Sequence, residues 1–133
     1  MQSRLTGEVG YHEAAKRLNL EGFTTSRPDL DRGSDIIICD QEKCIPAQIK
    51  TCFFKKKKEE SVATWSGNDN PSFREATDGS ALIIIAIDED YNYKYALVFP
   101  SESVPDVKSL KLKRDPYDLG KYYRFVDSWY SLL

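Results

Sequence analysis

Apolar positions recur along this chain with changing periods, and each period predicts an element. From Leu5 to about Leu20, the positions Tyr11, Ala14, Ala15 and Leu18 follow the i, i+3, i+4, i+7 spacing of one buried helical stripe. Gly22 is placed to end that helix, and Phe23-Thr24-Thr25 to form a short strand. Between Ser34 and Thr51 two apolar, β-branched runs flank the polar tetrapeptide Asp40-Gln41-Glu42-Lys43, which predicts a hairpin with a short turn. Folding it about the Gln41/Glu42 junction sets Asp35 opposite Gln48 and Cys39 opposite Cys44. Strand side chains alternate between faces. One face then carries Ile36, Ile38, Ile45, Ala47 and Ile49, a set suited to a core. The other carries Asp35, Ile37, Cys39, Cys44, Pro46, Gln48 and Lys50. Pro46 cannot donate a ladder bond, so it belongs on an edge or at a bulge. A one-residue shift there would turn Gln48 and Lys50 to the wrong face.

Further along, Ser61 to Asn70 reads as one short strand leading into a loop around Trp65, and Pro71 to Ala76 as a short helix capped by Asn70. Ala81 to Ile87 is an unbroken apolar run of strand length, the clearest buried strand in the chain. Asp88 to Asn92 makes a turn, and Lys94 to Phe99 pairs back until Pro100 stops it. Ser101 to Leu112 has no single pattern. In the last segment, Tyr117 to Leu133, the residues Tyr122, Phe125, Val126 and Trp129 fit a helical stripe that would pack on the sheet.

The hairpin brings an acid, an amide and an amine together at one end of a rigid two-strand platform, as a metal-binding, water-activating site requires. Asp35, a gap of twelve residues, and then Gln48-Ile49-Lys50 resemble the signature of the PD-(D/E)XK nuclease superfamily, in particular its small resolvase-like and restriction-like members. There an acid opens one strand and acid-x-Lys follows on the next; here Gln48 stands where the consensus has Asp or Glu. Pro28-Asp29 has a spacing to Gln48 that the family also permits, but Arg32-Gly33 break any strand there. Asp35 is therefore preferred. Gly7-Glu8-Val9-Gly10 resembles the Gly-Glu element of that family's first helix. Glu8 falls at the edge of the apolar stripe and Glu13 almost opposite it, so Glu8 is the first candidate for a helix carboxylate and Glu13 the second. The bland alternative is a surface glutamate near a helix start, where it favours the helix dipole.

The resemblance implies an α/β fold bordering on α+β, with a restriction-endonuclease-like αβββαβ core and a mixed central sheet flanked by helices. It implies a DNA endonuclease that uses Mg²⁺ or Mn²⁺ to hydrolyse phosphodiester bonds. Asp35, the Gln48 amide oxygen, the Ile49 carbonyl and Glu8 would hold the ion, and Lys50 would position the attacking water. DNA is the implied partner, and a homodimer is allowed. The rival reading is a catalytically inactive module of nuclease fold that binds DNA or a protein; a third is a hydrolase or regulator unrelated to DNA.

Composition adjusts this picture. With 133 residues, 41% apolar and 30% charged, a single globular domain spanning 1–133 is expected. No apolar run suits a membrane span and no secretory segment opens the chain, so a cytoplasmic protein is expected. Three cysteines argue against a disulfide framework and, in a reducing compartment, predict free thiols. One histidine is too few for a usual zinc site, and His12 has no serine or cysteine partner readable by spacing. The net charge of −2 is not that of a DNA-coating protein. Residues 1–58 nevertheless hold eleven Lys/Arg against eight Asp/Glu, and residues 59–133 eight against thirteen, so the basic excess lies with the candidate site. The run Lys55-Lys56-Lys57-Lys58 suits a DNA backbone or an ordinary solvated turn. Arg27 and Arg32 suit either phosphate or the neighbouring Asp29 and Asp31.

Overall fold

A five-stranded mixed sheet separates two packed sides of the molecule. The computed structural model describes residues 2–28, 34–65 and 71–132. The chain runs through α1 (Gln2–Leu20), β1 (Thr24–Ser26), β2 (Ile36–Cys39), β3 (Cys44–Phe53), β4 (Glu60–Thr64), α2 (Phe73–Thr77), β5 (Ala81–Ile87), β6 (Tyr93–Phe99) and β7 (Ser109–Lys113). Among the described residues, three stretches of 3₁₀ helix follow, at Ser101–Ser103, Pro116–Phe125 and Trp129–Leu132. The main sheet has the order β1-β2-β3-β5-β6, and β4 and β7 form a separate two-stranded ribbon. Only β3 and β5 run parallel; the other pairs are antiparallel. A parallel pair needs a long crossover, and residues 54–80, carrying β4 and α2, supply it. The expected αβββαβ order and mixed sheet are present, with β4, β6 and β7 added.

The apolar stripe of α1 behaves as its spacing requires: Ala14 and Leu18 are fully buried against Ile36, Ile38, Ala47, Ile83 and Ile85. The helix closes at Gly22, with the Gly22 N–H bonded to the Asn19 carbonyl and the Phe23 N–H to the Leu18 carbonyl. On the opposite side of the sheet, Leu82, Ile84, Leu97 and Phe99 pack under the ribbon and α2, against Phe73, Leu110 and Leu112. Every residue of β5 is buried, which explains its uninterrupted apolar run.

The β2–β3 hairpin has the symmetric register, Ile36 opposite Ala47 and Cys39 opposite Cys44. Its turn is built by Asp40, whose Oδ1 accepts from the Glu42 N–H at 2.7 Å and the Lys43 N–H at 2.8 Å. Those bonds, that to Lys43 foremost, hold the Asp40 carboxyl below its ordinary pKa. Pro46 needs neither bulge nor shift. It pairs with Ile37 of β2, while the β5 partners begin only at Ala47, so at Pro46 strand β3 is an edge on its β5 side.

Four expectations are corrected. Cys39 and Cys44 are joined in a disulfide, not free, because the hairpin register sets them directly opposite. The cap of α2 is Ser72, whose hydroxyl accepts from the Glu75 N–H at 3.2 Å; Asn70 lies outside the described residues. Ser109–Lys113 is a strand, with Leu110 and Leu112 inward and Lys111 outward. The C-terminal segment is not one α-helix: Gly120, at φ 60° and ψ −126°, breaks it into tight turns. Phe125 still packs on the sheet, 4.7 Å between ring centres from Phe99. Among the described residues no helix is long and apolar enough to cross a membrane.

Candidate functional site

Strand β3 spans ten residues and β2 only four, so the second half of β3 outruns its neighbour. Asp35 sits at that step. Its N–H donates to the Ala47 carbonyl at 3.0 Å, and its Oδ2 accepts from the Ile49 N–H at 2.8 Å. The carboxylate thus takes the ladder position that a further residue of β2 would fill. Among the described residues its Oδ1 accepts no hydrogen bond. Beyond this point a cleft of about 900 Å³ opens, lined by Ile49, Lys50 and Thr51 of β3, by Gly7, Glu8 and Tyr11 of α1 and by Arg27 and Pro28 after β1.

The helix reaches this wall through one close approach. A Cβ at Gly10 would lie 1.9 Å from Thr51 Oγ1, so only glycine lets α1 cross β3 here. That crossing puts Glu8, two residues earlier, at the cleft. Glu13 does not line it; its carboxylate pairs with Arg17 at 3.4 Å. Glu8 is itself engaged. Arg27 Nη2 and Nη1 donate to its two oxygens at 2.9 and 3.4 Å, and His12 Nε2 lies 3.6 Å away. The Arg27 bond holds the Glu8 carboxyl below its ordinary pKa and raises that of the guanidinium. The same guanidinium lies over the Tyr11 ring, 3.9 Å from its centre.

Lys50 lines the cleft, and its ammonium stands 5.8 Å from the centre of the Trp65 ring. Gln48 is 8% exposed and is not among the residues lining the cleft. Of the lysine run, Lys55 reaches the cleft, whereas Lys56, Lys57 and Lys58 are exposed on the following turn. Arg114 fastens that turn, donating to the Lys58 and Lys55 carbonyls at 2.9 Å each. Asp29, Asp31 and Arg32 lie outside the described residues.

The sequence pattern assigns Tyr11 to the core and leaves Arg27 as one of two loop arginines, whereas both border the cleft. Tyr11 stands three residues from Glu8 on the helix, and that spacing is the sign in the sequence that it borders the same site. Two other chemistries find no support. Cys52, the free cysteine of the described residues, is buried, and burial pushes its thiol up to about 11, away from the reactive thiolate. His12 is exposed beside Glu8, and among the described residues it has no serine or cysteine partner. Among those residues no three His, Cys, Asp or Glu side chains cluster as a metal site. The carboxylates that line the cleft are those of Glu8 and Asp35, with the hydroxyls of Thr6, Tyr11, Ser34 and Thr51 as further oxygen donors. Such a set fits a hard divalent cation and not a thiophilic one.

No protein-family model matches the sequence, and no curated protein matches it. Among solved structures, the chain is similar in fold to one described as "The structure of a bacterial homing endonuclease: I-Ssp6803I". The TM-score is 0.70 at 17% identity, over 100% of this chain and 94% of that one.

Proposed function

We propose that this chain is a divalent-metal-dependent DNA endonuclease of the PD-(D/E)XK type. The observation that carries the reading is the convergence of Glu8, Asp35 and Lys50 on one cleft, in a fold similar to that of a homing endonuclease. In this reading Asp35, the Ile49 carbonyl, the Gln48 amide oxygen and Glu8 would hold Mg²⁺ or Mn²⁺. When bound, such an ion would supply Lewis acidity toward the attacking water and the phosphate. Asp35 is aimed by its bond to the Ile49 N–H, so its other oxygen has a fixed direction. Lys50 positions the water and donates to the developing negative charge. Lys55 to Lys58 run along the DNA backbone. Gln48 in place of a carboxylate leaves the site one negative charge poorer, which weakens ion binding.

One observation favours the rival, an inactive module that binds DNA: Glu8 already has a cation on both of its oxygens. The deciding experiment is nicking and cutting of linear, supercoiled, branched and single-stranded DNA with Mg²⁺ or Mn²⁺. Cleavage that disappears in Lys50→Ala while the ion stays bound supports the enzyme. If wild type cuts none of these and Gln48→Glu gains nothing, the enzyme reading is overturned in favour of the module.

A further inference from the structure

The charged side chains that line the cleft are Arg4, Arg27, Lys50 and Lys55 against Glu8 and Asp35. Among the described residues the lining is therefore cationic, on a chain whose net charge is −2, a setting for a polyanion. One of its cations, Arg27, is occupied. Its fork bonds Glu8 at 2.9 and 3.4 Å while its plane rests on Tyr11. The side chains of the pair are 51% and 49% exposed, so solvent screens the attraction and the pair is weakly held.

The lone pairs of Glu8 that receive the guanidinium are those a hard cation would use. A freed guanidinium, in turn, matches a phosphodiester oxygen pair as well as a carboxylate. We propose that Arg27 is a phosphate-binding residue held in reserve by Glu8, released to the DNA backbone when a divalent cation takes the carboxylate. Tyr11 is the surface on which the guanidinium turns. The proposal rests on the endonuclease reading of the cleft and adds a coupling between ion and phosphate. Linkage makes that coupling reciprocal: each ligand strengthens the other by the same factor.

The test measures binding, not cleavage. DNA affinity is read by fluorescence anisotropy of a labelled duplex with and without Ca²⁺, and Mn²⁺ affinity by paramagnetic resonance without DNA. For wild type, Ca²⁺ should tighten DNA binding about tenfold, within the usual range of coupling between sites. Arg27→Gln should bind Mn²⁺ several-fold more tightly, because Glu8 is free, and should lose the Ca²⁺ enhancement. Glu8→Gln should bind DNA more tightly than wild type without any ion, because Arg27 starts free. That gain should vanish in the Glu8→Gln/Arg27→Gln double variant, which separates release of Arg27 from simple removal of a negative charge. Both side chains are half exposed, so the fold tolerates these changes, and circular dichroism checks it. If wild type binds ion and duplex but Arg27→Gln binds Mn²⁺ no tighter, or the Glu8→Gln gain persists in the double variant or never arises, the reserve role is overturned and the endonuclease reading stands. If wild type binds neither Mn²⁺ nor duplex, both are overturned.

Discussion

Gly10 of α1 lies against Thr51 of β3 so closely that a Cβ on residue 10 would meet Thr51 Oγ1 at 1.9 Å, Cβ at 3.1 Å and Cγ2 at 3.2 Å. Rotating the threonine does not clear all three atoms, so Gly10→Ala must lift the helix from the strand. The expected cost is about 1–3 kcal/mol, the range for inserting a methyl into a packed interface. Because Glu8 rides on the same helix, its distance from Asp35 changes too. Denaturant melts should record the loss, and Thr51→Ala in the same chain should recover part of it.

In the proposed reading Asp35 does two things, and two substitutions separate them. Asp35→Asn keeps an oxygen for the Ile49 N–H but removes the charge, so the fold should melt near wild type while ion binding and cleavage are lost. Asp35→Ala also leaves that N–H without its partner and should destabilise by about 1 kcal/mol. Equal melting curves for the two variants would contradict the ladder role assigned to the carboxylate.

Replacing Lys55 to Lys58 by glutamine should weaken DNA binding and flatten its dependence on salt, by about one unit of log–log slope for each phosphate no longer neutralised. Lys50→Gln should leave the salt slope nearly unchanged and reduce single-turnover cleavage by about a hundredfold or more, as removal of a positioned proton donor does. The two slopes, measured side by side, distinguish backbone tracking from chemistry.

The Cys39–Cys44 bridge closes a loop of only a few residues at the end of the hairpin remote from the cleft. Reduction should therefore lower stability modestly, by about 2 kcal/mol on a chain-entropy estimate. Cleavage under native conditions should be unaffected. Paired melting and nicking assays with and without dithiothreitol check both halves.

Legibility of this chain follows the range of the forces involved. The hairpin is readable because strand alternation and the Asp40 turn are local, and its register follows from them. Asp35 and Lys50 come with it. The bond from Arg27 to Glu8 spans 19 residues, and no periodicity announces a pairing of that kind. The C-terminal stripe misleads for the opposite reason. Its apolar spacing is helical, but a tertiary pairing prevails: the Asp127 N–H donates to the Ala96 carbonyl at 2.7 Å, and Asp127 Oδ1 accepts from the Ala96 N–H at 3.0 Å. These bonds, with the Leu97–Val126 bridge, tie the segment to β6. Strand β7 escapes notice because five residues of alternation are too few to stand out.

The unequal anchorage of the strands has a consequence for how the molecule opens. β1 is held to the sheet by three residue pairs, all on β2, and Arg27 follows its last residue. β3 is clasped by β2 along its first half and by β5 from Ala47 to Phe53. Amide hydrogens of β1 should therefore exchange with solvent well before that of Lys50, because a three-residue edge strand detaches at a smaller free energy than one paired over seven residues to the buried strand β5. Opening at β1 would loosen the Arg27 side of the cleft while the strand bearing Lys50 stays paired to β5. An excursion of that kind leaves the global fold intact.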